Sequence, residues 1–160
     1  MNSATSRLIR AGVFTAIIDG LFSSILSIAF YGSTVTRLWQ GVASALLGPT
    51  AIDGGTTPVI VGLVMHVTVA FFWSAVFLFL MSRVQFIQRV LQSPMGVLKV
   101  AAVYGPIIWS VMSLIVLPFL LHRPPSITSR WWIQFFGHIP FVAFPIVYAI
   151  GRPSPTSTQS

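Results

Sequence analysis

Cysteine is missing from this chain, and acidic side chains nearly so: Asp19 and Asp53 are the only two acids in 160 residues. The first absence excludes disulfides, thiolate metal sites, Cys-held iron–sulfur clusters and cysteine nucleophiles. It leaves the redox compartment open. The second excludes paired carboxylates working as acid and base across one bond, since Asp19 falls inside an apolar run and Asp53 outside one. A glycine-rich phosphate loop is missing too, because Gly54-Gly55 is a lone pair, and no nucleophile-elbow pattern surrounds any serine. Soluble-enzyme templates therefore fail, and the chain is expected not to be an enzyme. Charge of either sign is scarce. Charged residues make up 7% of the chain and hydrophobic ones 55%, whereas a soluble domain is about one quarter charged. So few charges cannot cover a water-facing surface of this size, and lipid is the expected partner. The net charge of +7 does not point to nucleic acid, because the basic residues stand singly at the ends of apolar runs.

What the chain does contain is long hydrophobic runs. Spans are expected over about 11–30, 58–80, 97–120 and 131–150, each about 20 residues and so long enough to cross a hydrocarbon core of about 30 Å. They predict an all-α integral membrane four-helix bundle in a single domain, 1–151, with a Pro/Ser/Thr-rich disordered tail over 152–160. The first run is read as an uncleaved helix, because Asp19 interrupts it and no small-residue cleavage pattern follows. Arg7, Arg10, Arg83, Arg89, Lys99 and Arg152 fall on one side, and Arg37, Arg123 and Arg130 on the other. This asymmetry predicts a multi-pass protein with both termini in the cytoplasm. Between spans one and two, Leu38, Trp39, Val42, Ala45 and Leu46 recur at helical spacing before Gly48-Pro49 stops the run. They predict a short interfacial helix in the outer leaflet. Residues 83–92 read as a cytoplasmic extension of span two, and His122 to Ser129, with Pro124-Pro125, as an extended loop. Trp131 and Trp132 fit an interfacial aromatic belt.

The informative residues are the ionisable ones inside the spans, which in a membrane default to functional candidates. Asp19, His66 and His138 are expected about 11–13 Å from the nearer end of their spans at a rise of 1.5 Å per residue. Trp109 falls in the same layer. Each lies on a stripe of small or polar residues. Gly12, Ala16, Ser23 and Ser27 accompany Asp19, while Gly62, Ala70 and Trp73 accompany His66. Ala102, Gly105 and Ser113 accompany Trp109, while Gln134, Val142 and Pro145 accompany His138. Small residues let membrane helices approach closely. The interior is therefore expected to hold the cluster Asp19, His66, Trp109 and His138, supported by Gly62, Trp73, Gly105 and Gln134.

Three readings of that cluster stand. The leading one is a structural or accessory protein whose polar groups lock helices together, an Asp19–His66 hydrogen bond foremost. The second is a proton-linked transporter or channel subunit, since an acid and two imidazoles are the parts of a proton relay. In this reading Pro106, Pro118, Pro140 and Pro145 loosen the backbone of spans three and four. The third is a bis-His haem carrier through His66 and His138, or a metal held by these two with Asp19. No motif assigns a cofactor. A homo-oligomer or another membrane protein is a candidate partner.

Longer patterns add a resemblance. Gln40-Gly41-Val42-Ala43-Ser44-Ala45-Leu46-Leu47-Gly48 is followed by Gly54-Gly55, Gly62-Leu63, His66 and Trp73-Ser74-Ala75. Tyr104-Gly105, Trp109 with Met112, Val116-Leu117-Pro118, and His138 with Phe144-Pro145-Ile146 complete the set. Together, from Asp19 to Arg152, they resemble small uncharacterised four-span bacterial inner-membrane proteins. The resemblance implies a bacterial cytoplasmic membrane and no particular activity. Trp109-Ser110-Val111-Met112 departs from the Tyr and Asn types of that pattern, which leaves the role of span three open.

Overall fold

A computed structural model describes residues 3–151 of the chain. The tail over 152–160 and Arg152 lie outside the described residues. Within them the chain forms six helices and no strand: α1 (Ser3–Ala29), α2 (Val35–Leu47), α3 (Thr56–Arg83), α4 (Gln85–Gln92), α5 (Gly96–Leu121) and α6 (Ser129–Gly151). Four of them, α1, α3, α5 and α6, are long and apolar enough to cross a membrane. The expected all-α bundle is therefore present, and the chain is a multi-pass membrane protein. Its lipid face is explicit in the 3.6-residue period of α1, where Phe14, Ile17, Leu21, Ile25 and Ile28 are all more than half exposed.

Two boundaries and one helix face differ from the sequence reading. Helix α1 begins at Ser3 rather than near residue 11. Nothing in Ser3–Arg10 breaks a helix, and Arg10 finds a partner at the bundle end: its Nη2 donates to the Ala149 carbonyl at 2.9 Å, tying α1 to α6. The 83–92 segment is not an extension of α3. Val84 leaves the helical region at φ −108, ψ 98, so α4 is a separate helix. Helix α2 forms between spans one and two as expected, with Thr34 accepting the Arg37 N–H at 3.1 Å as its N-cap. Gly48, at φ +82, ends it before Pro49. Its buried face is Trp39, Gln40 and Ala43, so of the predicted stripe Leu38, Trp39, Val42, Ala45 and Leu46 only Trp39 is buried, because α2 lies against α3 as well as against lipid.

The bundle has two unlike halves. At the end carrying α4, a dry core forms from Ala11, Phe77, Ala101, Tyr104, Ile146, Val147 and Ile150. Alanines bring the helices close, and Tyr104 Oη of α5 donates to the Trp73 carbonyl of α3 at 2.7 Å. Helix α6 is the central element: half of its apolar stretch is buried, against 22–28% for the other three spans. At the end carrying α2, α3 and α5 are held apart, and α2 lies beside the gap. There α5 contains a widened π-turn at Met112–Val116, and α6 contains another at mid-helix, Ile139–Ala143, where Val142 and Ala143 join the core; in each an N–H group reaches five residues back. Pro118 follows the first and Pro140 lies in the second. Neither proline can donate to a helical carbonyl, which favours such local rewinding.

Candidate functional site

Two glycines set the geometry of the polar layer. At Gly62 the backbone of α2 crosses α3 so closely that a Cβ would collide with the Trp39 carbonyl. One turn further along α3 comes His66, whose ring lies 5.1 Å from that of Trp39. At Gly105 the backbone of α5 meets that of α6, and a Cβ would stand 2.7 Å from the carbonyl of His138. One turn further along α5 comes Trp109, its ring 4.8 Å from the His138 ring. Each histidine is thus faced by a tryptophan across a crossing that a glycine makes close.

Helix α1 packs against both α3 and α6 and carries Asp19 within electrostatic reach of His138 and His66. The nearer approach is Asp19 Oδ2 to His66 Nδ1 at 3.8 Å. The other His66 nitrogen, Nε2, is 2.9 Å from the Ala16 carbonyl. A carbonyl only accepts, so Nε2 carries a hydrogen, and in a neutral ring Nδ1 is then a bare acceptor turned toward a carboxylate oxygen. Two such atoms attract only when a proton sits on one of them. His138 is arranged alike: its Nδ1 donates to the Gln134 carbonyl at 2.7 Å, which leaves Nε2 as the acceptor of the neutral ring. Gln134 thus contributes its backbone oxygen to the site.

These groups line a cavity of about 570 Å³ between α1, α2, α3, α5 and α6. Thr15, Asp19, His66, Trp73, Trp109 and His138 contribute to its wall, and Arg37 joins them from the first turn of α2. Apolar side chains supply much of the rest, among them Leu38, Met65, Met112 and Leu120. Four buried polar atoms of this wall have no hydrogen-bond partner among the described residues: Thr15 Oγ1, Asp19 Oδ1, Trp73 Nε1 and Trp109 Nε1. Buried polar atoms are ordinarily paired. All four belong to side chains that surround this one cavity.

Asp19, His66, Trp109 and His138 are therefore brought together, with Gly62, Gly105, Gln134 and Trp73 around them. The anticipated Asp19–His66 hydrogen bond is not formed at 3.8 Å. Among the described residues no group of three His, Cys, Asp or Glu side chains has the spacing to hold a metal ion. Ala102, expected on the inner stripe, is exposed. Trp131 is not a lipid-belt residue. It is 8% exposed, and its Nε1 donates to Ser113 Oγ at 2.9 Å; only its neighbour Trp132 faces outward. Sequence reasoning missed Thr15, Trp39 and Arg37 as wall or flanking residues. The spacing Thr15–Asp19–Ser23, one turn per step, was available as a signal.

Comparison with known proteins gives no match to any family model, any curated protein or any solved structure.

Proposed function

We propose that the protein is a non-enzymatic, proton-linked transporter or channel subunit of a bacterial cytoplasmic membrane, with both termini on the cytoplasmic side. The observation that carries the reading is the 570 Å³ cavity holding Asp19, His66 and His138 in one layer of its wall. An acid and two imidazoles of complementary tautomers can accept and release a proton in turn. Their placement beside unpartnered Thr and Trp donors gives that proton a solute to be coupled to. A purely structural lock, the leading reading of the polar cluster from sequence, is supported less well. Its key hydrogen bond is too long, and a lock leaves no reason for the unpaired atoms around it. Orientation rests on the basic residues: Arg7, Arg10, Arg83, Arg89 and Lys99 at the α4 end, against Arg37, Arg123 and Arg130 at the α2 end. In that orientation the cavity lies in the outer half and the dry core in the cytoplasmic half.

The test is proton flux into vesicles holding a trapped pH indicator. Wild-type protein should dissipate an imposed pH gradient faster than protein-free vesicles, and Asp19→Asn should return the rate to the protein-free level while inserting normally. Equal rates for wild type and Asp19→Asn would sink the proposal.

A further inference from the structure

The four unpartnered atoms also describe what the cavity takes. Two of them, Trp73 Nε1 and Trp109 Nε1, are indole N–H groups that can only donate. Thr15 Oγ1 can donate or accept, and Asp19 Oδ1 is the carboxyl oxygen left over from the approach to His66. Thr15 and Trp73 are 1% and 7% exposed, so their polar atoms have no route to bulk water that would satisfy them. A matching ligand must bring acceptor oxygens for two fixed donors and one group that can share a proton with Asp19. Formal charge argues the same way. A cation would meet the positive edges of two N–H dipoles and Arg37 on the cavity wall, and an anion would meet Asp19. The remaining wall is largely apolar and includes two methionines, Met65 and Met112, which adapt to irregular shapes. Its volume lies in the range of sites that enclose a drug-sized molecule.

We propose that the cavity binds an uncharged amphiphile whose compact head carries carbonyl or hydroxyl oxygens and whose tail is apolar, the chemistry of a quinone or a substituted phenol. The head sits at the depth of Asp19, with its oxygens on Trp73 and Trp109. The tail runs along Met112 and Leu120 of α5. This rests on the cavity being a solute site, as in the function proposed above. It adds only the class of solute, and binding requires no redox step.

The experiment is binding of a decyl-substituted benzoquinone to the full chain in lipid nanodiscs, read as a saturable, concentration-dependent rise in melting temperature. Tetraphenylphosphonium and laurate serve as cationic and anionic comparators. The quinone should saturate and the other two should not. Thr15→Val, which keeps the side-chain shape and breaks no bond within the chain, should weaken the quinone roughly tenfold, the scale of one lost hydrogen bond to a buried donor. Trp109→Phe should do the same, whereas Trp132→Phe, on the lipid face, should change nothing. Saturation by the phosphonium ion in an Asp19-dependent manner overturns the neutral class and leaves the solute site standing. Quinone binding indifferent to both Thr15→Val and Trp109→Phe also overturns it. Failure of all three compounds overturns the class alone if Asp19-dependent proton flux persists, and the solute site with it if flux is missing too.

Discussion

Replacing Gly62 with alanine tests the close crossing of α2 over α3. A Cβ built there lies 2.8 Å from the Trp39 carbonyl carbon and 3.2 Å from Trp39 Cα, with the carbonyl oxygen nearer still. Carbon atoms pack at about 3.5–4.0 Å, and the obstacle is backbone, which cannot swing aside as a side chain can. Helix α2 must then retreat by roughly 1 Å, comparing those distances with the contact optimum. Overpacking of this kind costs about 1–3 kcal/mol. Alanine in place of a mid-helix glycine returns up to about 1 kcal/mol, so a net loss of about 1–2 kcal/mol is expected from the upper part of that range. Gly41→Ala is the matched control. It lies in α2 with nothing within 4 Å of its Cβ position, so it should gain stability on helix propensity alone, by up to about 1 kcal/mol. Equilibrium unfolding in mixed micelles, followed by tryptophan emission, separates the two variants. Gly62→Ala should unfold at a lower fraction of denaturing detergent than wild type, and Gly41→Ala at the same or a higher one. If the two behave alike, α2 does not cross α3 at Gly62, and the account of how Trp39 reaches His66 falls with it.

Two further outcomes are expected. A double-mutant cycle on Trp131→Phe and Ser113→Ala should give a coupling of about 0.6 kcal/mol, the average for polar contacts between membrane helices; zero coupling in the same unfolding assay would return Trp131 to the lipid belt. Because the chain has no cysteine, single-cysteine variants report topology without background. Cysteine at exposed Thr36 should react with an impermeant maleimide applied to intact cells, and cysteine at exposed Ser82 only after lysis. The reverse pattern would invert the assigned orientation.

The spans were legible because lipid imposes one rule on every residue of a helix, and length with hydropathy reads it directly. The pairs Gly62–His66 and Gly105–Trp109 were legible for a related reason: a small residue one turn from a polar one is a local pattern on one face. What escaped depends on neighbours. The register of α1 was set on Ala16, whereas the cavity is met by Thr15, a single step around the helix. Trp39 and Trp131 have the composition of interfacial residues, and only the packing of α2 on α3 and of α6 on α5 turns them inward. The break at Val84 has no Gly or Pro to announce it. The cavity is invisible in any one segment, because it is the distance between α3 and α5 that makes it.

The division of the bundle into a tightly packed half and a parted half has a mechanical consequence. Phe77, Tyr104, Ile146 and Ile150 clamp the helices where the dry core lies, so any opening must be an angular one, small at the clamp and growing toward α2. The π-turn of α5 is placed beyond that clamp, whereas the π-turn of α6 runs into it, since Val142 and Ala143 belong to the same core. If the cavity takes a solute as proposed above, such a molecule would work as tongs do, with the joint shut and the solute passing at the tip side.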